Sequence, residues 1–158
     1  MYNALAAISV ARLFGAKAEI IKEALEDIKV LGRSELVDNK LELKIMIDYA
    51  HTPDSLENIL KTAKQYTAGK VICVFGCGGD RDKNKRAVMG EISGRLADYT
   101  IITSDNPRTE VPEEIVSQIE AGTKKTKGNY ECIVDRKEAI KKAISMEGKN
   151  DNSNIFIW

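Results

Sequence analysis

The chain has no excess of either charge: 24 lysines and arginines stand against 24 aspartates and glutamates. Overall charge therefore gives no reason to expect a nucleic-acid or anionic-membrane partner, and any anion binding must come from local clusters. Cysteine is scarce and odd in number, with only Cys73, Cys77 and Cys132. That excludes a disulfide-dense scaffold. His51 is the single histidine, and with no second cysteine pair a zinc site is not expected. Cys73 and Cys132 read as small buried apolar residues. No apolar run is long enough to cross a bilayer, and no secretory pattern precedes the first helical stretch. The expected setting is a reducing cytoplasm, with no membrane partner. Internal repeats and low-complexity segments are also missing, and "EGKNDNSN" reads only as a polar loop.

What is present is the composition of one ordinary domain with an appendage: 158 residues, 43% apolar and 30% charged, enough to bury a core without staples. "YNALAAISVARLFG" has Ala4, Ala7, Ile8, Ala11 and Leu13 near helical spacing, with Gly15 as a stop. "AEIIKEALEDI" is a second amphipathic helix, with Ile20, Ile21, Leu25 and Ile28 near one face. "LGRSELV" reads as a connector leading into a strand, and "LELKIMIDYA" reads as a strand with a buried end.

From there strand and helix alternate. "DSLENILKTAKQYT", "KNKRAVMGEISGRLA", "VPEEIVSQIEAGTKK" and "RKEAIKKAISM" are helical, and Pro112 suits a first turn. "KVICVFG", "DYTIIT", "YECIV" and "NIFIW" are strands. "KVICVFG" is continuously apolar, as a strand covered on both faces must be. This alternation predicts a Rossmann-like, doubly wound, mostly parallel α/β sheet with flanking helices. The strandless residues 1–32 form a separate unit from 33–158, with the join between Leu31 and Leu36.

Ligands of doubly wound sheets bind beyond the carboxyl ends of the strands. Three polar clusters fall there: "DYAHTPD", "GCGGDRDKNKR" and "SDNPRTE". Asp48 closes a strand and could hold a ribose, or could bind loop amides or cap the next helix. His51 could touch a ligand or simply hold the turn before Pro53. Gly76, Gly78 and Gly79 permit close backbone approach and positive φ. Arg81, Lys83, Lys85 and Arg86 follow at a helix start, which favours an anion; the alternative is a turn followed by a solvated basic face. Neither a phosphate-loop G-x-x-x-x-G-K-[ST] nor G-x-G-x-x-G is present. Pro107 restrains Asn106 and aims its neighbours. Asp105 and Asn106 suit an ammonium group and Arg108 a carboxylate, the two ends of an amino acid. An Asx-type turn with Arg108 in solvent fits the same residues.

"GRSELV", "DYAHTPDSL", "FGCGGDRDKNKRAVMG" and "TSDNPRTEVPEEI", in this order and spacing, resemble the carboxyl-terminal part of the Mur ligase family. "YNALAAI" is similar to the last helices of that family's central ATPase domain. The resemblance implies an ATP-dependent amide ligase of peptidoglycan synthesis, working through an acyl phosphate. Asn3, Arg33, Asp48 and His51 are then on the ATP side. Arg81, Asp105, Asn106, Pro107 and Arg108 form the pocket of the incoming amino acid. "DNPR" is similar to the signature of members that add meso-diaminopimelate to a UDP-N-acetylmuramoyl dipeptide, since Arg108 would pair with the second carboxylate and repel a lysine ammonium. The family's ATP phosphate loop, magnesium ligands and uridine-nucleotide domain have no counterpart in these residues. The glycine-rich segment that follows "NIFIW" in the family has none either. The implied molecule is a fragment with no catalytic residue of its own, inactive alone, binding neither ATP nor Mg2+ strongly and completed by the missing domains. A non-catalytic Rossmann-like module that binds an amino acid or nucleotide is the alternative.

Overall fold

The computed structural model describes residues 2–26, 28, 30–40, 43–146 and 154–157. They divide into two units, Met1–Leu31 and Gly32–Trp158.

The first unit holds α1 (Tyr2–Leu13) and α2 (Ala18–Glu26). Gly15 ends α1 at φ 82. The Gly15 N–H donates to the Arg12 carbonyl at 3.0 Å and the Ala16 N–H to the Ala11 carbonyl at 3.0 Å, the paired bonds of a left-handed helix stop. α2 buries none of its residues, and Leu5, Val10, Leu13, Phe14 and Ile20 are exposed.

The second unit contains β1 (Glu35–Val37), β2 (Lys44–Ile47), α3 (Pro53–Tyr66), β3 (Val71–Phe75), α4 (Asn84–Leu96), β4 (Tyr99–Ile102), α5 (Pro112–Thr123), β5 (Asn129–Cys132), α6 (Arg136–Ser145) and β6 (Asn154–Ile157). The strands lie in the order β1-β2-β6-β3-β4-β5. All neighbours are parallel except the β1–β2 pair. This is the doubly wound α/β sheet that the alternation predicts. The polar loop at 147–153 lies outside the described residues.

Strand β3 shows why helices cover both faces. All five of its residues are buried. Val71, Cys73 and Phe75 point into a core with Leu56 and Leu60 of α3, Met89 and Ile92 of α4, and Ile115 and Ile119 of α5. Ile72 and Val74 point the other way, into a core with Ile45, Ile101, Ala139 and Ala143. Successive strand side chains alternate, so only cover on both sides can bury such a run. The chain steps outward from β3 to β5 and then returns to the middle through α6. A right-handed crossover travelling in that reverse direction puts its helix on the opposite face.

Helices α4 and α5 cross at backbone contact. A β-carbon built on Gly122 would stand 1.7 Å from the Ala87 carbonyl oxygen, and one on Gly90 would stand 2.0 Å from that of Ile119. Cys132 corrects one expectation: it is exposed. It ends β5, the edge strand among the described residues.

Candidate functional site

The loops that leave β2, β3 and β4 carry the three polar clusters. Those after β3 and β4 form one body. The Gly79 N–H donates to the Asn106 carbonyl at 2.8 Å, and the Arg108 guanidinium donates to the Gly79 carbonyl. Thr109 donates its hydroxyl to Asp80 Oδ1 at 2.7 Å. Asp80 and Arg108 both adopt left-handed backbone, at φ 52 and 50, a conformation that needs local bonds like these to hold it.

The glycines serve this junction. A β-carbon on Gly76 would lie 2.4 Å from the Thr103 carbonyl oxygen, and one on Gly79 would lie 1.9 Å from that of Pro107. The close approach expected of these glycines is therefore loop to loop. The expected positive φ is not found, because among the described glycines only Gly15 and Gly32 have it. Asp105 and Arg108 meet around Gly78: a β-carbon there would stand 3.1 Å from Arg108 Nη1 and 3.8 Å from Asp105 Oδ2. An anion and a cation thus stand about one bare glycine. Asn106 is exposed and Pro107 half-buried. Arg81 is exposed, and its guanidinium turns back to the Asp80 carbonyl at 3.3 Å.

The basic run behind the glycines bonds to the protein itself, although only one of its four cations is buried. Arg86 is fully buried. Its two terminal nitrogens grip both oxygens of Glu110 at 2.8 Å each. Arg86 also donates to Gln118 at 2.8 Å and to the Gly78 carbonyl at 3.2 Å. Lys83 reaches Glu110 at 3.2 Å, and Lys85 donates to the His51 carbonyl at 2.8 Å. The bonds from Arg86, then that from the Asp80 N–H, hold the Glu110 carboxyl far below the usual carboxylate range. Sequence reasoning left Glu110 without a role, although it belongs to the "SDNPRTE" stretch. A carboxylate five residues beyond Asp105 gave the only signal.

On the β2 side, Asp48 Oδ2 accepts from the Ser34 N–H at 2.7 Å and from its hydroxyl at 3.2 Å. Of the alternatives for Asp48, the helix cap is excluded. Thr52 caps α3, accepting from the Ser55 N–H while the Ser55 side chain returns the bond. The Arg33 guanidinium lies 4.6 Å from the centre of the Tyr49 ring. Tyr49 in turn tilts against His51 at 4.9 Å between ring centres. Arg33, Asp48 and His51 thus gather through Tyr49 and Ser34, which the sequence reading did not single out. Asn3 is exposed on α1, in the first unit.

Arg136, at the start of α6, donates to the Ser104 carbonyl at 3.3 Å from the far side of the turn. Burial pulls its pKa down, partly offset by Asp105. Among the described residues no three histidines, cysteines or carboxylates come together to hold a metal ion. No helix among them is long and apolar enough to cross a membrane. An apolar groove of about 250 Å³ between α3 and the β1–β2 edge, lined by Leu36, Met46 and Tyr66, includes none of these site residues.

A sheet with these loops at its carboxyl edge defines a class. The profile described as "Mur ligase, glutamate ligase domain" matches residues 32–155, and the chain belongs to that family. It is 52% identical over 151 residues to the UDP-N-acetylmuramoyl-L-alanyl-D-glutamate–2,6-diaminopimelate ligase of Caldanaerobacter subterraneus subsp. tengcongensis, covering 96% of this chain and 31% of that one. It is 51% identical over 152 residues to the enzyme of the same name from Clostridioides difficile, again covering 96% and 31%. A solved structure of a ligase with that name superposes with a TM-score of 0.72 at 35% identity, covering 97% of this chain and 31% of the other. The chain thus spans about a third of the length of these relatives.

Proposed function

We propose that this chain is the amino-acid-receiving domain of an ATP-dependent ligase that joins meso-diaminopimelate to UDP-N-acetylmuramoyl-L-alanyl-D-glutamate in cytoplasmic peptidoglycan synthesis. The observation that carries the reading is the placing of Asp105 and Arg108 about Gly78. In the reaction, a substrate carboxylate becomes an acyl phosphate. The amine of the incoming amino acid attacks the acyl carbon, the bond to the phosphate oxygen breaks, and the amine gives up a proton as the amide forms.

In this reading Asp105 and Asn106 bind an ammonium group of diaminopimelate. Arg108 commits one nitrogen to Gly79 and keeps its remaining N–H donors for a carboxylate. Arg81 completes the cationic side, and Pro107 holds the turn. Arg33, Asp48 and His51 serve the nucleotide, and Asn3, in the first unit, is assigned to it by the resemblance alone. Tyr49 adds an aromatic face beside them. Residues 1–32 are the helical end of the family's central domain, and 33–158 its carboxyl-terminal domain. The grouping of Arg33, Asp48 and Tyr49 suits one end of ATP. No cluster fits Mg2+ among the described residues. The 158 residues contain no phosphate loop, so by themselves they do not ligate.

Calorimetric titration of meso-diaminopimelate into the chain, with L-lysine as control and Arg108→Ala beside it, tests this. The expected result is binding of diaminopimelate only, lost in the variant. Equal binding of lysine, or binding that survives the substitution, overturns the assignment of Arg108. Binding of neither overturns a pocket formed by these residues alone.

A further inference from the structure

We propose that Arg86 and Glu110 are positioning residues: their buried ion pair sets the shape of the Asp105–Arg108 turn against the glycine loop. The inference rests on the amino-acid pocket assigned above and adds what holds that pocket. Neither side chain is placed to meet a ligand. Arg86 is 0% exposed, and the Glu110 side chain is only 12% exposed.

What the pair touches is the two loops. Arg86 Nη2 holds the Gly78 carbonyl at 3.2 Å. Glu110 Oε1 accepts the Asp80 N–H at 2.7 Å. Each partner therefore binds the other and the backbone of the 78–80 loop. Glu110 is also chain-linked to the turn, two residues beyond Arg108. Arg86 is anchored from the other side by α4, with Gln118 of α5 beside it. The forked geometry allows one arrangement of two parallel bonds, so it defines orientation as well as distance. Loops held this way present Arg108 and Asp105 already in place, which spares the ordering cost on binding. Removing Glu110 leaves the Arg86 charge buried and uncompensated, whereas removing Arg86 leaves Glu110 with the more exposed Lys83 at 3.2 Å. An exchange of nearly equal shape keeps the volume and a hydrogen-bonding group, so it disturbs the fold least.

Glu110→Gln keeps the shape and one accepting oxygen but sets an NH2 against an Arg86 donor. Amide hydrogen exchange then separates positioning from bulk stability. The Gly79 and Asp80 N–H groups report the junction. The Thr103 and Ile133 N–H groups, bonded to the Phe75 and Ile102 carbonyls, report the sheet. The proposal expects exchange at Gly79 and Asp80 to rise about tenfold or more while the sheet amides hold, since local opening precedes global unfolding. A rise of the same size at both sets, or none at Gly79 and Asp80, overturns it: the pair then only stabilises the fold. If Glu110→Gln does not fold, Arg86→Lys is read at the same amides, because it keeps the charge and loses the fork. Titrating meso-diaminopimelate into the same proteins keeps the two ideas apart. Weaker binding in the variant joins the pair to the pocket. An unaltered chain that binds no diaminopimelate overturns a pocket formed by these residues alone and leaves the exchange result to decide positioning. Binding unchanged in a variant with loosened amides overturns the positioning role.

Discussion

Gly79 faces Pro107 so closely that a β-carbon on the glycine would stand 1.9 Å from the proline's carbonyl oxygen. The obstacle is backbone, which cannot swing aside as a flexible side chain would. Gly79→Ala must push the two loops apart, at a cost of about 1–3 kcal/mol, the range for forcing extra carbon into a packed contact. Urea denaturation should show the loss, and calorimetry should show weakened diaminopimelate binding. An unchanged midpoint with unchanged binding would mean the loops part freely and the contact sets nothing.

Acid titration should expose the Arg86–Glu110 pair. The Glu110 carboxyl is held far below its ordinary value in the folded chain, against about 4.3 when unfolded. A depressed folded pKa contributes stability that is complete above the unfolded value and lost as pH falls through the folded one. The urea midpoint of the unaltered chain should therefore exceed that of Glu110→Gln by a constant margin at neutral pH. Below about pH 4 the margin should narrow, as the unfolded chain takes up a proton that the folded chain refuses. A margin that stays constant down to pH 3 would contradict the assignment.

The box at the head of α3 orders the loop that carries Tyr49 and His51. Thr52 and Ser55 exchange side-chain and backbone bonds there, with Pro53 in the first turn. Thr52→Ala should cost about 1 kcal/mol and Thr52→Ser much less, because only the first removes the accepting oxygen. Chemical denaturation of both variants checks this, and equal losses would assign the effect to the methyl group.

Thiol labelling should follow burial. Cys73 and Cys77 are buried and Cys132 is exposed. Desolvation pushes the Cys77 and Cys132 thiols up to about 11 each, so little thiolate exists near neutrality. At pH 8 the native chain should take up one alkylating group, slowly, at Cys132, and three groups in denaturant. Labelling of a Cys132→Ser variant under native conditions would show that the core opens on the reaction timescale.

The legible part of this molecule was local. A run such as Val71–Phe75 demands cover on both faces, and its alternation with amphipathic helices points to a doubly wound sheet. Glycines, a proline and charged groups stacked at strand ends mark where a ligand edge lies. Several of the residues so marked lie near one another: Asp105 and Arg108 flank Gly78, and Asp48 and His51 neighbour Tyr49, against which Arg33, marked only by the resemblance, also packs.

Hydrophobic period and turn chemistry were enough to determine the order and type of the elements other than β1, which lies in the stretch read as a connector, and the edge that carries the polar loops, because both act within a few residues. Strand order and the fate of individual charges were decided only in three dimensions. Nothing local says that β6 inserts between β2 and β3, or that β1 runs antiparallel at the edge. In sequence, Arg81, Lys83, Lys85 and Arg86 are one basic run at a helix start. Burial and a partner 24 residues away make Arg86 a structural ion, while Arg81 stays at the surface. A side chain's period tells which face it takes, but the partner it meets there is set by how distant strands and helices pack.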